Sequence, residues 1–247
     1  MELISLHPFD PDVASRYVRA LVAAGVPDET WTAWWDRDAV AALDRAREGS
    51  EDAANQITLG LAHALSQEQP VFVHEGFGLT TWEARIDRGV GMLMRPPSRL
   101  FVDAGLDRQA VHAMPIRLDL QRGLMGGAYV PARLVGDLYE LLDFRLDRMA
   151  RRLHEAEYDA VALLGLMFEA VAYARDRGLG LYEAIDAVGP ALPGMVVIEP
   201  DAKRLDRELR DRIVAAIKPQ KGPGLFSRLL GRGRASSANG EWREPLT

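Results

Sequence analysis

The sequence predicts an α+β fold, a predominantly helical single domain with a small sheet of short strands and a central buried helix near residues 160–174. Three observations lead there. Apolar residues recur at helical spacing over most of the chain, alternation of period two is confined to a few short runs, and residues 160–174 are apolar on all sides apart from Glu169. At 247 residues and 48% apolar composition the chain is long enough for one sizeable core.

Leu3 to Leu6 reads as a short strand, and His7-Pro8-Phe9-Asp10-Pro11 as a turn, because two prolines interrupt ladder donation and helix continuation. Asp12 is placed to cap a helix that runs to Ala24 before Gly25. A second helical region spans Asp28 to about Arg47, closed by Gly49. It carries Trp31, Trp34 and Trp35 on one face, which suits core packing first and a partner surface second. Ser50 opens a third helix that buries Ile57, Leu61 and Leu65.

Val71-Phe72-Val73 is a buried strand leading into His74-Glu75-Gly76-Phe77-Gly78. Thr80-Thr81-Trp82-Glu83 fits a capping box, with Thr80 as N-cap and Glu83 reaching back, and the helix behind it ends at Arg95-Pro96-Pro97. Strict alternation over Ile116 to Gln121 predicts a half-buried strand, and Ala128-Tyr129-Val130 a returning one. Val135, Leu138, Leu142, Leu146, Met149 and Leu153 define one amphipathic helix. After the Ala160–Ala174 helix and Gly178, a short helix is expected from Tyr182 to Val188. Met195 to Ile198 is a strand, and a charged helix with Leu205, Leu209 and Ile213 inward ends the domain at Ile217.

Charge divides the chain. Residues 218–247 carry six basic and two acidic groups, and 11 of the 30 are Gly, Pro or Ser, which predicts a flexible basic tail. The overall charge of −6 then leaves −10 on the globular part, residues 1–217. A body that acidic repels phosphate backbones, so no nucleic acid partner is expected. Within the tail, Leu225, Phe226, Leu229 and Leu230 fall on one side of two helical turns beside Arg228. That pattern suits docking in a partner's groove or on an anionic membrane surface.

There is no cysteine, which removes thiol catalysis, disulfides and thiolate metal sites. The first residues lack the basic and apolar regions of a signal peptide, and no apolar run reaches the ~20 residues of a spanning helix, so a cytoplasmic protein is expected.

Candidate catalytic residues are three. Glu169, on an apolar helix, has to be neutral, paired or facing a cavity, and burial would raise its pKa toward general acid–base use; a buried pair with an arginine, or an edge position in water, is the plainer alternative. His74 and Glu75 sit where a strand hands over to a helix among glycines, although neighbouring strand residues point to opposite faces. His154 and Glu157 stand three apart but lack a HExxH or similar context, Ser98 and Ser50 suit turn and cap positions, and no GxSxG elbow occurs. No metal site or cofactor is therefore assigned.

The reading these features favour is a non-catalytic interaction or regulatory protein that acts through its tail. The alternatives are a small-molecule-binding domain or enzyme around Glu169, and peripheral membrane association.

Overall fold

The computed structural model describes residues 3–22, 45–46, 48–53, 62, 64–66, 68–105, 107, 109, 127–185 and 195–218. By compactness the chain divides into Met1–Ile217 and Lys218–Thr247, and the account here concerns the first unit. The predicted tryptophan helix, the alternating strand at 116–121 and the tail segment Leu225, Phe226, Arg228, Leu229 and Leu230 lie outside the described residues.

The fold is mixed α+β, dominated by helices around one five-stranded sheet. Strands β1 (Leu3–Phe9), β2 (Val71–Glu75), β3 (Tyr129–Val130), β4 (Gly180–Ile185) and β5 (Val197–Ile198) are ordered β3-β4-β1-β2-β5. Pairing is antiparallel throughout except β2 with β5, which run parallel. The helices are α1 (Pro11–Val22), α2 (Leu79–Thr81), α3 (Gly89–Leu93), α4 (Arg99–Asp103), α5 (Ala132–Phe144), α6 (Leu146–Glu155), α7 (Ala160–Asp176) and α8 (Arg207–Ile217); a π-helical turn, Trp82–Ile86, continues α2.

Strand β1 occupies the middle of the sheet and runs on to Phe9, through the segment whose prolines predict a turn. Pro8 is accommodated opposite Leu181 within the ladder, and Phe9 reaches Gly180. The turn is therefore delayed to Asp10, and Asp10, rather than Asp12, caps α1: its side chain accepts from the Asp12 N–H at 2.8 Å.

Residues 180–185 form strand β4 instead of the expected helix at Tyr182–Val188. Their alternation explains the outcome. Leu181 and Glu183 face one side of the sheet with Leu6, while Tyr182 faces the other, stacked on His7 at 4.7 Å. Pairing with β1 on one edge and β3 on the other outweighs the local helix tendency.

The six apolar positions from Val135 to Leu153 are all buried, as their spacing predicts, but the chain breaks at Arg145 into α5 and α6. Together with α7 they form the main core with Leu6, Phe72, Val130 and Leu181 of the sheet. The α7 helix is central, as expected, and longer than predicted. Asp159 caps its start by accepting from Val161 and Ala162 N–H at 3.0 Å. Its end is a Schellman motif, in which Gly178 at φ 68° donates to Arg175 O and Leu179 N–H donates to Ala174 O.

Candidate functional site

Glu169 lies on the outer side of α7 with its side chain 39% exposed, and Arg204 faces it at 3.8 Å. Glu169 thus takes the plainer of its expected placements, a partly exposed edge position beside an arginine, because residues 201–209 cover only part of this face. A groove of about 220 Å³ remains, lined among others by Tyr139, Phe168, Glu169, Arg204 and Leu205. Tyr139 and Phe168 pack edge-on, with ring centroids 5.4 Å apart.

His74 and Glu75 end β2, where they line a second cleft of about 450 Å³ together with Leu3, Val73, Glu199 and Pro200. Partial burial lowers the His74 pKa below the usual imidazole value, against the opposing pull of Glu75. His74 Nδ1 is buried without a hydrogen-bond partner, and its ring lies edge-on to Phe77 at 6.1 Å.

A carboxylate that the fold does bury is Glu183, fully inaccessible on β4. Its two oxygens are held by one residue: Thr80 N–H donates at 3.0 Å and the Thr80 hydroxyl at 2.5 Å. The Leu79 N–H beside it also favours the charged form. These are free donors of the first turn of α2, so a sheet residue caps a helix whose own N-cap, Gly78, supplies no side chain. The predicted capping box fails because Glu83 turns away and lies over Gly91, where a Cβ would meet its carboxyl group at 2.0 Å.

Room for the Glu183 carboxylate comes from missing side chains. A Cβ on Gly78 would lie 2.3 Å from Glu183 Oε2, and one on Gly127 would lie 2.4 Å from Oε1. Desolvation raises the Glu183 pKa, and the Thr80 and Leu79 donors pull it back in part. The period-two placement of Leu181, Glu183 and Ile185 is the sequence signal that could have located this residue, had the segment been read as a strand.

On the opposite face of the sheet, His7 is buried between two serines. Ser66 Oγ donates to Ala62 O at 2.6 Å, so the longer contact of 3.3 Å to His7 Nδ1 is a donation from the ring. His7 Nε2 lies 2.8 Å from Ser5 Oγ, which also donates to Ala184 O at 3.3 Å. Ser5 and His7 are both sealed from solvent, so this serine–histidine pair is closed to substrates. Asp87, 1% exposed, follows the π turn and binds Arg145 Nη1 at 2.6 Å and Gly89 N–H at 2.8 Å through Oδ1. Arg152 donates to Ile86 O, so both cations flanking the α6 turn anchor the π turn.

The remaining predicted positions are peripheral. His154 is exposed on α6, and Glu157 stands beyond the helix end at φ 63°, off the helical face that their spacing assumes. Ser50 Oγ accepts from Ala53 N–H at 3.4 Å, and Ser98 precedes α4 without a side-chain cap bond. Among the described residues no helix is long and apolar enough to cross a membrane, and no group of three or more His, Asp or Glu is placed to hold a metal ion.

Chemically, the arrangement couples Glu183 to a helix start, Asp87 to a helix break, and His7 to Ser5 of its own strand and to the helical Ser66. Comparison with protein-family models gives no match, and comparisons with curated proteins and with solved structures give none.

Proposed function

We propose that this chain is a non-catalytic interaction or regulatory protein, with a folded α+β body carrying a basic tail that docks on a partner through Leu225, Phe226, Leu229 and Leu230 beside Arg228. The observation that carries this reading is the commitment of Glu183 and His7, the fully buried carboxyl and imidazole of the sheet, to the fold itself. Both oxygens of Glu183 bind Thr80, and both ring nitrogens of His7 bind serines. The tail supplies the binding pattern: clustered Leu and Phe in a segment otherwise rich in Gly, Pro, Ser and Arg.

The test compares partner capture by the full chain with that by a full-length variant in which those four residues are serine. Loss of specific partners supports tail docking; identical partner sets overturn it. Flotation of the wild type, but not the variant, with anionic vesicles would assign the tail to a membrane surface instead.

The groove beside Glu169 supports a second reading, a small-ligand site offering a carboxylate, the Arg204 guanidinium and two aromatic rings. A ligand screen by nuclear magnetic resonance tests it, since shifts confined to Tyr139, Phe168 and Arg204 are required.

A further inference from the structure

Strand β5 is an edge of the sheet, and the two edges are finished differently. At the other edge, Arg95 closes β3 with two backbone bonds to Tyr129, at 2.7 and 3.1 Å. Along β5, among the described residues, nothing pairs on the outer side, and Val196 and Val197 are 60% and 41% exposed. Val71 N–H donates to Val196 O at 2.8 Å while Val71 stands opposite Val197. In a parallel ladder this register turns the Val197 N–H and C=O away from β2, toward the open edge.

The chemistry beside that edge is acidic. Glu199 follows the end of β5 directly. With Glu75 it lines the 450 Å³ cleft at the ends of β2 and β5. Neither carboxylate has an ion-pair partner among the described residues. Arg204, the nearby cation, donates to the backbone oxygen of Glu199 and faces Glu169. The desolvated His74 adds little positive charge to the cleft.

We infer that the outer edge of β5 adds a strand from a partner: an extended peptide that pairs with Val197 and sets an arginine or lysine in the cleft between Glu75 and Glu199. The open backbone pair gives the register, and the carboxylates select the charge. A partner with acidic residues at that position is rejected, because like charges would meet across the new ladder. Strand addition at β5 does not depend on the tail's function.

The test uses the full chain and a capped, fluorescently tagged peptide alternating valine and threonine with one central arginine, with binding read by anisotropy. Expected are saturable binding that weakens with added salt, a loss of roughly tenfold in the E75Q/E199Q variant, and no binding when the arginine is glutamate. N-methylation of the peptide on its pairing face, which removes ladder donors without touching the protein, abolishes binding. V197P does the same while leaving the bond from Val71 to Val196 intact; the methylated peptide decides the matter should that variant unfold. Failure of the parent peptide to bind, or equal binding of its methylated form, overturns the proposal. A dimer of the chain that V197P dissolves would give the edge to a second copy and overturn it too.

Discussion

Thr80 binds Glu183 twice, through its backbone N–H and its hydroxyl, and so ties the first turn of α2 to the second strand from the sheet edge. Replacing Thr80 by valine keeps the shape and the N–H but removes the hydroxyl donor from a buried carboxyl group. The expected loss is about 1.5–3 kcal/mol, measured as a fall in the urea midpoint at constant slope.

The same carboxyl group gives stability a pH dependence. Folding raises its pKa through desolvation, so the protonated form favours the folded state. Its contribution is fully present below the ordinary carboxylate range and is lost as pH rises through the folded value. E183Q, which stays neutral and can still accept from the Thr80 N–H, is expected to flatten that decline. Urea midpoints of wild type and E183Q across the acidic to neutral range check it; parallel profiles would remove Glu183 as the source.

Gly127 and Gly136 are predicted to respond to alanine in opposite directions. At Gly127 the new methyl would overlap the Glu183 side chain, at a cost of about 1–3 kcal/mol. At Gly136, inside α5 with open space around the Cβ position, it removes a flexible residue from a helix and is expected to add about 0.5–1 kcal/mol. Thermal unfolding of the two variants reads the sign directly.

Arg145 and Asp87 form a half-sheltered pair, Arg145 one-third exposed and Asp87 buried. R145A strands the carboxylate and is expected to cost about 2–3 kcal/mol. The double variant R145A/D87A loses less than the sum of the two single variants, because it leaves no unpaired buried charge. A strictly additive double-mutant cycle would show that the pair is not coupled.

By contrast, E169Q should change stability by less than about 0.5 kcal/mol, since both partners of the 3.8 Å contact with Arg204 are well exposed. A larger loss in denaturant unfolding would contradict that placement.

These contrasts show which features were legible before any coordinates. Periodicity found the α5–α6 core positions and α7, because burial of an apolar stripe is a local signal repeated every turn. It also located β2, whose run of Val and Phe is continuous. It missed β4, whose helix-compatible residues are held extended by β1, a strand some 175 positions earlier in the chain. Glu183 was missed with it. Glu169 was singled out because sequence shows that a helix is apolar but not how completely its neighbours cover it. The break at Arg145 is likewise invisible in the sequence, where nothing local announces that Arg145 pairs with Asp87, 58 residues away.

The central position of β1 has a consequence for synthesis. Residues 3–9 leave the ribosome well before residues 180–185, yet one side of their ladder waits for those residues. Until then the nascent chain holds a hydrophobic strand with an unsatisfied flank, and the sheet closes only once β4 has emerged. Such long-range closure is slow relative to helix formation. The interval between the emergence of β1 and that of β4 is therefore when chaperone capture of β1 has the most to protect.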